Sequence, residues 1–177
     1  MQATAARIHL IGCSGCGKST LGAALASHLG VRFCDLDDLY WEPDWREVGH
    51  AELARRLAPI VSADAWVIAG NYHKTTERIV WPRVTQLVMI DLPLPLLVRR
   101  IVARSARRAF LGEPCCNGNR ETLAHALRAD APLRYTLRVW RARHARMALL
   151  PGDPRLAHAQ VTHLRSAREV RAWRAGW

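Results

Sequence analysis

Gly12-Cys13-Ser14-Gly15-Cys16-Gly17-Lys18-Ser19-Thr20 carries the spacing G-x-x-x-x-G-K-[ST], the form of a loop that cradles phosphates. Its surroundings decide the fold. Ile8-His9-Leu10-Ile11 before it is an apolar run that reads as a buried strand, and Leu21 to Leu29 after it is helix-forming. Strand, loop, helix is the setting in which this spacing has a mechanism. The glycines let the backbone curl so that successive N–H groups face phosphate oxygens. A helix opening near Lys18 adds the positive end of its dipole. Gly12, Ser14, Gly15, Cys16, Gly17, Lys18, Ser19 and Thr20 are therefore expected to hold a nucleoside triphosphate. Lys18 is placed against the β- and γ-phosphates, and the Ser19 hydroxyl on Mg²⁺.

Working outward, Gly30 is a good helix C-cap, and Val31-Arg32-Phe33-Cys34 reads as a second strand ending in Asp35-Leu36-Asp37-Asp38. If the strand continues, Asp35 and Asp37 point to one side. Carboxylates there would handle Mg²⁺ and an acceptor hydroxyl, with Asp38 suited to a helix N-cap. Leu39 to Trp45 is aromatic and broken by Pro43; Tyr40 or Trp41 could stack on a ring substrate. Residues 49–62 have helical apolar spacing at Leu53, Leu57, Ile60 and Val61.

Ala65 to Ala69 reads as a third strand ending in Gly70-Asn71-Tyr72, where Gly70 permits close approach to a ligand and Asn71 could hydrogen-bond one. Thr75 to Val80 reads as a short helix. Gln86 to Asp91 reads as a fourth strand whose closing Asp91 could hold the water shell of Mg²⁺. Gln160 to Leu164 is a fifth strand, and Ser166 caps a last helix, Ala167 to Trp173. Strands alternating with helices give an α/β three-layer sandwich: a five-stranded parallel sheet with helices on both faces, in one domain spanning 1–177.

The formal charge of +11 comes almost wholly from arginine, since Lys18 and Lys74 are the only lysines. The arginines crowd between Arg99 and Arg146. On a helix from Leu94 to Phe110, Arg100, Arg104, Arg107 and Arg108 share one face. Four like charges on one face, with no acid among them, call for an anion to neutralise them. A second helix is expected from Arg120-Glu121-Thr122 to about Leu150, interrupted at Pro132. Together these pieces make an arginine-rich helical lid, at about 105–135, able to close over a triphosphate and bring Arg104 and Arg108 to the transferring phosphoryl group.

Five cysteines in a chain whose first residues, Met1 to Ala6, are too few and too weakly apolar for a signal peptide argue against disulfides. No apolar run reaches membrane-spanning length, so a cytoplasmic protein with no membrane partner is expected. Cys13 and Cys16 sit where the loop needs small residues, although its dipole could lower a thiol pKa there. Cys115-Cys116 lacks the paired C-x-x-C spacing of a zinc site, so no zinc is expected.

Asp37-x-x-Tyr40-Trp41, Gly70-Asn71-Tyr72, Trp81-Pro82-Arg83, Asp91-Leu92-Pro93 and Asn117-Gly118-Asn119-Arg120-Glu121, together with the phosphate loop, resemble a bacterial family. Its members are labelled adenylate kinase-related or DNA topology modulation proteins. More distantly, the chain is similar to adenylate and shikimate kinases. The shikimate and gluconate kinase acidic motif corresponds to Asp35 and Asp37, implying one carboxylate for Mg²⁺ and one for the acceptor hydroxyl. The adenylate kinase segment entering the lid corresponds to Arg100 to Arg104, implying Arg100 on adenine and Arg104 on phosphate. Leu164-Arg165-Ser166 corresponds to the loop behind the adenine. Relatives often carry Asp where this chain has Ala69, which leaves Mg²⁺ to Asp35, Asp37 or Asp91.

The leading expectation is an ATP- and Mg²⁺-dependent small-molecule kinase with Lys18, Asp37, Arg104 and Arg108 in the chemistry and Tyr40, Trp41, Gly70, Asn71 and Tyr72 on the acceptor. A regulatory ATPase and an ATP-using nucleic-acid-binding protein are the alternatives. No helix-turn-helix, zinc-finger or RNA-binding signature supports the latter. The acceptor and the oligomeric state are not readable.

Overall fold

A computed structural model describes residues 6–121 and 131–177. The central sheet is built from β1 (Arg7–Gly12), β2 (Arg32–Asp35), β5 (Trp66–Ala69), β6 (Gln86–Ile90) and β9 (Gln160–Leu164). All are parallel, in the order β2-β5-β1-β6-β9. Two short antiparallel ribbons lie outside it: β3 (Trp41–Glu42) with β4 (Arg46–Glu47), and β7 (Pro114–Cys115) with β8 (Asn119–Arg120).

Both faces of the sheet are covered, as parallel strands require, and alternate side chains feed two separate cores. Ile11, Trp66, Ile68, Leu87 and Met89 face one side. There they meet α3 (Gly49–Ser62), through Leu57, Ile60 and Val61, and α6 (Pro132–Leu149), through Met147. Leu10, Val67, Ala69, Val88 and Ile90 face the other. That side packs on α1 (Lys18–Leu29), α5 (Leu94–Leu111) and α7 (Ala167–Ala175). The sandwich is the α/β architecture expected. No described helix is long and apolar enough to cross a membrane.

Two local expectations are corrected. The chain does not stay extended after Asp35: it turns into α2 (Leu36–Tyr40), and Asp35 rather than Asp38 is the N-cap, its Oδ1 accepting from the Asp37 N–H at 3.1 Å. Asp35 and Asp37 therefore do not share a strand face. The short helix after Tyr72 is α4 (His73–Ile79), two residues earlier than read. The break expected at Pro132 falls where α6 begins, with proline in its first turn. The expected helical start at 122–130 lies outside the described residues.

His9 sits in β1 with no solvent exposure, its Nε2 against the Gly70 carbonyl at 2.9 Å. Burial, with a smaller push from His73, drives its pKa from 6.5 down to about 4. In the unfolded chain the ring takes its proton near pH 6.5. Between pH 6.5 and 4 the unfolded state thus binds more protons, and stability falls as pH falls. Denaturant titrations should show the native protein losing about 3 kcal/mol across that window relative to His9→Gln.

Candidate active site

The loop between β1 and α1 is shaped from three directions. Cys16 N–H donates to the Cys13 carbonyl at 3.2 Å, closing the turn. Gly15 and Gly17 take left-handed conformations, with φ of 78° and 95°. A Cβ on Gly15 would also stand 2.9 Å from Ile101 Cγ1, because α5 packs directly on the loop. Gly17 caps α1 without a side-chain hydrogen bond, leaving first-turn N–H groups for an anion.

Behind the loop, Asn71 makes a two-pronged clamp. Its Oδ1 accepts from Gly12 N–H at 3.0 Å, and its Nδ2 donates to the Gly12 carbonyl at 2.9 Å. Asn71 and Gly12 were expected to meet ligands; they meet each other. Gly70, with φ of 143°, makes its close approach to Leu36, whose Cβ lies 2.7 Å from where a Gly70 Cβ would stand, and not to a substrate. Cys16 turns its thiol into the core. Cys13 is buried as well, and burial pushes its thiol pKa up, against the expected lowering.

In front of the loop is a cleft of about 210 Å³ lined by Gly15, Gly17, Lys18, Ser19, Thr20, Arg100, Arg104 and Arg108. Four of those eight residues are cationic and none is acidic, so the cleft suits a polyanion. Arg104 Nε is buried with no hydrogen-bond partner among the described residues, a cost that an incoming phosphate oxygen would remove. Arg100 Nη1 donates to the carbonyls of Gly15 (3.4 Å) and Cys16 (3.2 Å), bracing the loop from α5.

The arginine face does have acids, contributed from outside its helix. Arg107 pairs with Glu113 at 3.1 Å, and Arg108 pairs with Glu121 at 2.5 Å. Arg165 is exposed and outside the cleft lining; its N–H donates to Glu169 at 2.8 Å.

On the acceptor side, Asp35 meets the loop from the end of β2, and Asp37 follows in α2. The Ser19 hydroxyl and the Lys18 charge are near enough to Asp35 to favour its ionised form. Burial first, then the neighbouring Asp37 charge, raise the Asp35 carboxyl above its usual range. A carboxylate so placed gains from a divalent cation, and one carboxylate with one hydroxyl is a common protein share of a Mg²⁺ shell completed by phosphates and water. Ser19 and Asp35 thus fit that ion. Ala69 is fully buried next to Asp35 in the β2–β5 register and adds only a methyl group.

Tyr72 Oη donates to Asp37 Oδ1 at 2.7 Å, from a backbone with positive φ of 22°. Tyr40, expected to stack on a substrate, is 9% exposed and packed 4.5 Å from the Tyr72 ring, with its hydroxyl donating to Glu47 at 2.7 Å. Trp41 sits edge-on to it at 5.3 Å and is half-buried. Asp91, expected near Mg²⁺, is committed elsewhere: Oδ2 lies 2.8 Å from His144 Nδ1 and 3.0 Å from His163 Nε2.

Sequence reasoning missed Asn117 and Asn119 as anchors of the β7–β8 ribbon. Asn117 Nδ2 donates to the carbonyls of Asp38 (2.6 Å) and Trp41 (2.7 Å). Asn119 Nδ2 donates to the Glu42 carbonyl at 2.9 Å, and its Oδ1 accepts from Trp45 N–H at 2.9 Å. Two asparagines flanking Gly118 signal a turn, but not its partner 75 or so residues away.

The shikimate kinase family model matches residues 14–48, the loop, α1, β2 and the two aspartates. Shikimate kinase 2 of Salmonella dublin is 28% identical over 136 residues, 66% of this chain and 73% of that protein. Among solved structures, a shikimate kinase from Acinetobacter baumannii in complex with shikimate aligns with a TM-score of 0.54 at 21% identity, covering 98% of this chain and 90% of the other. A gluconokinase from Sinorhizobium meliloti aligns with a TM-score of 0.51 at 19% identity, covering 98% and 93%. The solved structures carry the fold, and the sequence matches show likeness to shikimate kinase. They do not bear on the adenylate kinase-related label. The chain is a P-loop phosphotransferase of the small-molecule kinase type, with its acceptor open.

Proposed function

We propose that this protein transfers the γ-phosphoryl group of ATP to a hydroxyl group of a small, uncharged polyol or ring compound. The observation that carries the reading is the meeting of two half-sites at Ser19–Asp35: a cationic cleft on one side, and Asp37 held by Tyr72 on the other. Residues 1–177 are taken as one domain with a lid at about 105–135, of which 122–130 lie outside the described residues.

Loop N–H groups, Lys18, Arg104 and Arg108 bind and orient the triphosphate, and Ser19 and Asp35 would hold Mg²⁺. The ion would supply neutralisation of phosphate charge. Asp37 receives the acceptor proton on the oxygen not engaged by Tyr72. The hydroxyl oxygen bonds to the γ-phosphorus as its bond to the ADP oxygen breaks. Lys18 and the two arginines stabilise the charge spread over the transferring group. Trp41 and Tyr72 offer the acceptor its apolar wall.

The arginines near that wall are already paired. Arg46 binds Glu42, and Arg56 binds Glu42 at 2.6 Å and Glu52 at 2.7 Å. An acceptor carboxylate would have to compete with Glu42 and Glu52 for these guanidiniums, which favours a neutral compound. ADP release measured across neutral polyols, shikimate, gluconate and nucleoside monophosphates tests this. A neutral polyol should accelerate it at least about tenfold over water. Equal rates with every acceptor and with none would sink the reading in favour of a plain ATPase.

A further inference from the structure

We infer that Glu121 is a positioning residue for phosphoryl transfer, holding Arg108 in the triphosphate cleft from the end of a ribbon fastened to the acceptor segment. The inference rests on the proposed kinase reading and adds to it a residue outside the cleft.

Both carboxylate oxygens of Glu121 are used. Oε1 takes Arg108 Nη1 at 2.5 Å, and Oε2 takes the Ser105 hydroxyl at 2.7 Å. Glu121 is 5% exposed. Burial would push its carboxyl up, but Ser105 and the guanidinium groups of Arg104 and Arg108 together bring it below its usual range. A buried carboxylate deserted by its guanidinium is costly, so Arg108 does not swing freely between solvent and ligand. A guanidinium has five donors. With Nη1 held by Glu121, the others remain for phosphate oxygens, at a position fixed before the nucleotide arrives.

The holding group is itself fixed. Glu121 directly follows β8, and Asn119 two residues earlier is clasped between Glu42 and Trp45. Two extended residues span about 7 Å, leaving little slack between a contact on the acceptor segment and the grip on Arg108. Displacement of the acceptor segment would therefore be felt at the phosphoryl end of the cleft.

Glu121→Gln keeps the size and an acceptor for Ser105 while removing the charge. With the best acceptor at saturation, it is expected to lower kcat about 10- to 100-fold, with KM for MgATP within about threefold. Combined with Arg108→Ala, it should lower kcat no further than Arg108→Ala alone, because the two act as one unit. A Glu121→Gln protein with lower thermal stability and unchanged kcat, or a double variant with additive losses, would overturn the inference. Should Glu121→Gln not fold, Glu121→Asp, which withdraws the carboxylate by one methylene, is read by the same two criteria. If the wild-type protein shows no acceptor-dependent turnover, the kinase reading fails. The Glu121–Arg108 pair is then judged by the same non-additivity in acceptor-free ATP hydrolysis.

Discussion

Lys18→Ala is expected to lower kcat/KM for MgATP by about 10³-fold or more, the scale of about 4 kcal/mol of transition-state stabilisation. Lys18 is 8% exposed on the first turn of α1 and lines the cleft with three arginines. It is the one lysine there, a compact charge on a short reach from the loop, and no guanidinium can take its place without moving. Its loss also removes one of the influences that hold the Asp35 proton affinity down, so the candidate Mg²⁺ residue is weakened in the same stroke. Calorimetric titration with MgATP should show affinity lowered at least about tenfold, alongside the turnover loss. A Lys18→Ala protein that binds and turns over MgATP within a factor of three of wild type would remove the triphosphate from the cleft.

The second large effect belongs to Asp37→Asn. Transfer to an acceptor should fall about 10²- to 10⁴-fold, the usual range for loss of a positioned base, while MgATP binds within about threefold of wild type. The separation follows from geometry: Asp37 is engaged by Tyr72 on the acceptor side and is absent from the cleft lining. Burial and then the Asp37 charge raise the Asp35 carboxyl, so removing that charge should leave thermal stability unchanged or slightly higher. Equal losses in transfer and in MgATP affinity would instead place Asp37 on the nucleotide. Tyr72→Phe, which leaves the carboxylate but not its orienting hydroxyl, should give a smaller kcat loss of about 10-fold.

The strands, the loop and the first and last helices were legible because each rests on a local pattern. Apolar runs of strand length precede turn residues, Gly30 caps α1 in a left-handed conformation, and Ser166 accepts from Glu169 N–H at the start of α7. What the sequence hid was pairing over distance. Asn71 looked like a ligand contact because a buried amide and a substrate-binding amide are spelled alike. Asp91 ends an apolar strand in the manner of a magnesium residue, yet its partners, His144 and His163, come from α6 and β9. The basic face of α5 looked unneutralised because Glu113 and Glu121 lie beyond the helix. Asp35 and Asp37 alternate as strand residues would, but the Asp35 side chain starts a helix instead.

Asn71 belongs to the end of β5, and the group it grips belongs to the end of β1. Without it, both polar groups of Gly12 would be buried and unmatched, at about 1–3 kcal/mol each. The curvature that receives phosphate is thus completed by a residue arriving some sixty positions later in the chain. A nascent polypeptide that has emitted the whole glycine motif still lacks a working receptor for ATP, and gains one only when two distant strands come into register. Pairing of the two strands and completion of the phosphate loop are thus one event.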